Sequence, residues 1–159
     1  MHSTGDGLHR FVDPEDGLAY VYSNLEPYSA HRLFPCFDQP DIKGTYRLRV
    51  VAPSRWQVVS SEAPAATTTL PGARRGHDFG PSPRYSTYLF SLIAGPYVQL
   101  RSRHGQLPLG LYGRASMRAE LERSSDEIFE ITAQGMDYYA DLFGRPYPFG
   151  KYDQLFVPE

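Results

Sequence analysis

The residue pattern changes abruptly near Gly113, and that change limits the folds open to this chain. Before it, Pro and Gly recur between short runs rich in Tyr, Val, Thr and Leu, the punctuation of an all-β segment. From Ser116 onward no proline occurs until Pro146. Within that window Ile128, Thr132, Gly135/Met136, Tyr139 and Phe143 recur at i, i+4, i+7/8, i+11 and i+15, the period of one amphipathic helix face. Ser124 and Glu127 are spaced as a capping box, and Gly144 stands where a C-terminal helix glycine belongs. The spacing predicts one long helix over residues 126–143, then a Pro/Gly turn and a strand over residues 151–157. The predicted class is mainly β with an α+β C-terminal part, with residues 1–113 all-β and residues 114–159 opening a second unit.

Within the β part, Asp13–Gly17 reads as a turn and Gly17–Tyr22 (GLAYVY) as a strand. Thr45–Val51 alternates, with Tyr46, Leu48 and Val50 on one face and Arg47 and Arg49 on the other, as in a half-buried antiparallel strand. Trp56–Val59, Val98–Arg101 and Leu107–Tyr112 are further short strands. Thr87–Ala94 (TYLFSLIA) is nearly continuous in apolar residues and reads as a strand covered on both faces. Ser29–Asp41 mixes turn formers with Leu-Phe and Cys-Phe pairs, the mark of an ordered loop pinned by apolar side chains. Ala63–Pro83 is the least regular stretch and is expected to be a variable hairpin or loop.

Composition excludes several functions. A net charge of −2, with no basic run longer than Arg74-Arg75, argues against a nucleic-acid partner. No apolar run approaches the roughly 20 residues of a membrane span. The opening residues MHSTGDGLHRF are polar and do not form the core of a signal peptide. A lone cysteine, Cys36, permits no internal disulfide, so a cytoplasmic setting is the expectation. At 159 residues the chain holds one domain or slightly more.

The residues carry no complete catalytic constellation. His2, His9, His31, His77 and His104 show no pairing at i,i+3 or i,i+4, no H-E-x-x-H and no Cys/His zinc spacing, and each reads as a surface or turn histidine. Cys36, between Pro35 and Phe37, reads as an inert packed thiol. Asp38 and Asp41 flank Gln39-Pro40; such a pair could do acid–base work, but in a proline turn it is expected to cap backbone N–H groups. Glu26 follows a strand directly. By position alone it is either a solvated turn glutamate or a functional side chain on a rigid strand end.

Five stretches in series change those odds. They are HSTGDGLHRFVDPEDGLAYVYSNLEP, AHRLFPCFDQPDIKGTYRLRVVAPSRWQVVSS, STYLFSLIAGPYV, PLGLYGRAS and DEIFEITAQGMDYYADLFGRPYPFGKYDQLFVPE. Together they resemble the aminopeptidase N family of zinc metallopeptidases, particularly its bacterial cytosolic branch. FPCFDQPD, IAGPY and PYPFGKYDQLFVPE carry most of the specificity, and only Ala63–Pro83 falls outside the pattern. The resemblance implies that residues 1–113 are the later part of an antiparallel β-saddle N-terminal domain. Residues 114–159 would then be the first helix and strand of a thermolysin-like catalytic domain. In that family a G-x-M-E-N segment and an H-E-x-x-H helix lie further along the chain. Neither occurs here, so the expectation is an internal fragment with no catalytic residue and no metal ligand of its own. Zinc would belong to the full-length protein, and the partners would be the rest of the catalytic domain and peptides with a free N-terminus.

The resemblance also assigns roles. The family grips the substrate α-ammonium with two glutamates, one of them supplied by the N-terminal domain, and that one matches Glu26. A glutamine often stands two residues earlier and lines the same pocket; here the position is Asn24, one methylene shorter. Two other readings stand beside this one: a relative that kept the fold but became a binding scaffold or changed its chemistry, and a free-standing β-rich binding module. Glutamate rather than glutamine at position 26 favours a peptide amine as ligand.

Overall fold

The computed structural model describes residues 6–157. Two compact units divide at Pro96 and Tyr97. The first unit holds β1 (Gly7–Val12), β2 (Ala19–Asn24), β3 (Lys43–Gly44), β4 (Leu48–Pro53), β5 (Gln57–Ser60), β6 (Pro64–Leu70), β7 (Arg74–Phe79), β8 (Tyr85–Ser86) and β9 (Leu92–Gly95). Short 3-10 turns lie at Ala30–Arg32 and Thr87–Leu89. The second unit holds β10 (Val98–His104), β11 (Leu107–Gly113), the helix α1 (Arg118–Phe143) and β12 (Tyr152–Leu155). The class expected from the sequence, mainly β with an α+β C-terminal part, is the class observed.

In the first unit a four-stranded antiparallel sheet has the order β1-β2-β9-β5. Its first hairpin is fixed by local chemistry. Asp13 accepts from the Glu15 N–H, Asp16 accepts from the Leu18 N–H and the Tyr20 hydroxyl, and Gly17 takes a left-handed φ of 69°. A second, three-stranded sheet has the order β4-β7-β6. Its inward side chains Leu48, Val50, Ala52 and Phe79 meet Val58, Ala94 and Trp56 in one core cluster. A second cluster gathers Leu25, Ala30 and Phe90 with Leu33, Phe34, Cys36 and Tyr46. Fully covering one such Leu or Phe contributes about 1.5–3 kcal/mol.

In the second unit β10 and β11 form an antiparallel hairpin, and β12 adds to β11 in parallel. The N-terminal half of α1 covers this sheet through Leu121, Ile128 and Phe129, which pack on Val98, Leu100 and Leu111. Gly110 is required by close approach, because a Cβ there would overlap the Asp153 carboxylate and the Tyr112 ring.

Several sequence expectations need correction. The helix begins at Arg118, eight residues before the expected Asp126 (126 − 118 = 8). Ser124 and Glu127 lie inside it, and the Ser125 hydroxyl bonds back to the Glu122 carbonyl instead of a capping residue opening the helix. The reason is tertiary: Leu121 is buried against the sheet and draws about two more turns into the helix. Its end is as expected, with Gly144 at φ 60° donating to Ala140 and Asp141. Thr87–Ala94 is not one strand; a 3-10 turn occupies Thr87–Leu89, and β9 starts at Leu92. Of the two alternatives for Ala63–Pro83 the hairpin is observed: β6 and β7 pair antiparallel with an irregularity between Pro64 and Ala66, and their turn carries Gly72 and Ala73, both at positive φ. The strand expected at Thr45–Val51 runs from Leu48 to Pro53, because Tyr46 turns its ring into the aromatic group of Tyr85 and Phe90.

Candidate functional site

β2 is an interior strand. Its residues pair with β1 from Ala19 to Asn24, and Val21 and Tyr22 pair with Ala94 and Ile93 on the other side. Leu92 N–H donates to the Ser23 hydroxyl at 2.9 Å, a further tie to the β9 side. The strand ends at Asn24, opposite Gly7. Gly7 has φ 99°, a conformation that a side chain would strain.

Immediately beyond, Leu25 is 2% exposed and packs with Ala30 and Phe90. Glu26 comes next, is exposed, and joins Pro27 through a cis peptide bond. The Ser29 N–H then bonds the Leu25 carbonyl at 2.8 Å and closes the turn. Asn24 and Glu26, the two residues that the resemblance singles out, thus flank one buried leucine at the end of an interior strand. Both are exposed. Among the described residues no hydrogen bond or ion pair engages the Glu26 carboxylate.

Around this strand end the polar side chains are committed. The Asp38 carboxylate accepts from the His31 N–H at 2.9 Å and from the Thr87 hydroxyl at 2.7 Å, with His31 Nδ1 2.8 Å away. Burial pushes this carboxyl up, but the bonds from His31 and Thr87 outweigh it and hold it below the ordinary carboxylate range. This is the capping role expected of Asp38. Asp41 is exposed. Nothing in the sequence around Asp38 points to Thr87, 49 positions away. Arg32 reaches Asp6 at 3.8 Å.

The remaining candidates do not converge. Cys36 is a half-buried free thiol whose pKa is raised by burial and by Asp38, so it stays protonated at neutral pH. His9 stacks on Tyr22 with ring centroids 5.0 Å apart. His77 is buried in β7, and its pKa is lowered by burial and by Arg75. His104 pairs with Asp137 at 2.7 Å. His2 lies outside the described residues. Among the described residues no three His, Cys, Asp or Glu side chains are grouped to hold a metal ion.

The Peptidase M1 N-terminal domain matches residues 3–89, more than half of the chain and including Asn24, Glu26 and Asp38. This chain belongs to the aminopeptidase N family of M1 peptidases. Its relatives in that family include aminopeptidase N of Streptomyces lividans, 46% identical over 99% of this chain and 18% of that protein. Aminopeptidase N of Acetobacter pasteurianus is 28% identical over 87% of this chain and 38% of that protein. The probable aminopeptidase 1 of Sulfurisphaera tokodaii is 30% identical over 94% of this chain and 18% of its own length. The M1 chain described here therefore spans well under half the length of each of these relatives.

Proposed function

We propose that this chain is the amine-anchoring part of a zinc-dependent aminopeptidase that removes N-terminal residues from peptides, and that Glu26 is the anchor. The observation that carries the reading is an exposed carboxylate, without a partner among the described residues, mounted one residue beyond a buried leucine at the end of an interior strand. A substrate α-ammonium, with a pKa near 7.7–8.0, is cationic over much of the neutral range. A carboxylate receives it through charge-assisted hydrogen bonds, which exceed neutral ones in strength. Fixing the amine fixes where the substrate starts, and that makes a peptidase an exopeptidase. Asn24, on the same strand end, would line the same pocket.

In this reading residues 1–113 are the later part of the N-terminal β domain and residues 114–159 open the catalytic domain. The described side chains include no set fit to hold zinc. The metal and its chemistry are therefore assigned to the rest of the enzyme, and no step is routed through this chain. No helix among the described residues is long and apolar enough to cross a membrane. The cytoplasmic setting remains part of the proposal, supported by the free Cys36 thiol.

The test is Glu26→Ala in the full-length protein, assayed on aminoacyl substrates with a free amine. The expected loss is about 2–5 kcal/mol in kcat/KM, the scale for removing one partner of a hydrogen-bonded charge pair. A value within a few-fold of wild type would overturn the assignment.

A further inference from the structure

Asp38 lies twelve positions after Glu26 (38 − 26 = 12), yet the topology brings the two into one closed circuit. From Glu26 the chain turns through Ala30–Arg32 and reaches Asp38, which bonds both the His31 N–H and the Thr87 hydroxyl. From Thr87 the chain passes Phe90 into β9, and β9 pairs with β2, the strand that ends just before Glu26. The loop that carries Glu26 is thus fastened to the same Ser86–Leu92 segment at both ends. At one end Leu25 packs with Phe90, and the Leu92 N–H bonds the Ser23 hydroxyl. At the other end Thr87 bonds Asp38, and the Ser86 hydroxyl bonds the neighbouring Pro40 carbonyl.

The Asp38 side chain is 8% exposed and faces the His31 N–H, the His31 ring and the Thr87 hydroxyl. An ionised carboxylate only accepts, and these donors suit it. Its lone pairs are engaged, so it is built to hold the loop and not to exchange protons with a substrate. Glu26, by contrast, has no side-chain bond that fixes it among the described residues. A carboxylate that must meet an ammonium in one place gains from a loop ordered in advance, because ordering then costs nothing at the moment of binding.

We propose that Asp38, acting through Thr87, is a positioning residue that holds Glu26 in place for the substrate amine. The inference rests on the anchor reading above and adds the device that makes the anchor rigid. Neither Asp38 nor Thr87 touches the substrate in this arrangement. Their effect travels through the loop between Leu25 and Asp38.

The experiment uses the full-length protein with Glu26→Ala, Thr87→Val, Thr87→Ser and the double variant Glu26→Ala/Thr87→Val. Thr87→Val removes the hydroxyl bond and nearly keeps the shape; Thr87→Ser keeps the hydroxyl. Thr87→Val is expected to raise KM for a free-amine substrate about tenfold, the scale of a small misplacement of a binding group. Its kcat should stay within about threefold, and Thr87→Ser should recover most of the loss. In the Glu26→Ala background Thr87→Val should add nothing, because the two act on one contact. Melting temperatures are measured alongside. A Thr87→Val enzyme that melts lower with unchanged KM, or whose effect adds fully to that of Glu26→Ala, overturns the positioning role and leaves the anchor standing. A Glu26→Ala enzyme with unchanged kinetics overturns the anchor, and the positioning role falls with it.

Discussion

The loop from Leu25 to Asp38 and the C-terminal half of α1 are both dense in large apolar side chains, and they dispose of them in opposite ways. In the loop, Leu25 and Ala30 are buried together with Phe90 from the segment before β9, and Leu33, Phe34 and Cys36 pack around them. In the helix, Leu121 is 4% exposed near the start, whereas Tyr139 is 57% and Phe143 71% exposed towards the end. Ile131, Met136, Tyr139 and Phe143 line an open groove of about 780 Å³ with Tyr147 and Phe149. Among the rings there, Tyr139 stacks on Phe143, and Tyr147 meets Phe149 and Tyr152 edge-on. The loop finds its cover partly within itself and partly from Phe90, far along the chain. A helix presents each turn to a different neighbour: here Leu121, Ile128 and Phe129 meet the sheet, Thr132 and Asp137 bond Gln154 and His104, and the large side chains of the last turns stay exposed.

The sharpest way to break this contrast is to truncate the buried members. Leu25→Ala in the loop and Leu111→Ala beneath α1 should each destabilise by about 2–5 kcal/mol, as transfer and cavity terms combine. Urea unfolding of each variant measures it. A loss below about 1 kcal/mol for Leu25→Ala would mean that the loop collapses around the gap and is less ordered than its burial indicates.

The next effect is electrostatic. Asp38 is held below its ordinary pKa in the fold, so its contribution is fully present above about pH 3.9 and is lost as pH falls through the folded value. Asp38→Asn sets an amide N–H against donors that expect an acceptor, and should cost about 1–3 kcal/mol near neutrality. The deficit should shrink on acidification below pH 4, where the wild type loses the same bonds. A deficit that is constant with pH would show that the cost is steric.

His77 gives a smaller and oppositely placed dependence. Its imidazole is buried in β7 between Val50 and Thr67, with Arg75 nearby, and its pKa is lowered. The neutral ring belongs to the folded state. Its contribution is therefore complete above about pH 6.5 and declines as pH falls from there through the folded value. His77→Gln should flatten the stability profile just below about pH 6.5 without changing its acid limb. An unchanged slope would place the titration elsewhere.

The same contrast explains what could be read in advance. Leu48, Val50 and Ala52 alternate with exposed Arg49, Val51 and Pro53, so β4 announced itself, although it starts three residues and ends two residues later than expected. The period of α1 was plain because helix contacts are local. Its start was not, because the turn around Leu121 is stabilised by Val98 and Leu111 and not by a cap. β1 was missed, since GLHRFV carries little β-branched signal and owes its state to pairing with β2. The break at Thr87 was invisible for the same reason that Thr87 escaped notice as a site residue: its partner, Asp38, is 49 positions away. Glu26 was ambiguous by spacing and became a candidate only through resemblance to a family. Its geometry then added what no spacing encodes, a buried leucine on one side and a carboxylate without a partner among the described residues.

The smallest stability effect should come from the helix end. Tyr139→Ser and Phe143→Ser remove rings that are mostly exposed, so unfolding free energies should move by no more than about 0.5 kcal/mol. Self-association is the more sensitive readout. An uncovered apolar groove of this size on the isolated chain favours non-specific contact, and the chain should aggregate as its concentration rises. The two serine variants should reduce that tendency, by light scattering at matched concentration, while leaving the melt almost unchanged. If either variant instead costs as much as Leu25→Ala, the helix end is part of a packed core, and its difference from the loop disappears. If both leave aggregation unaltered, the sticky surface lies elsewhere, with the exposed Phe37 and Tyr28 of the loop as the first places to look.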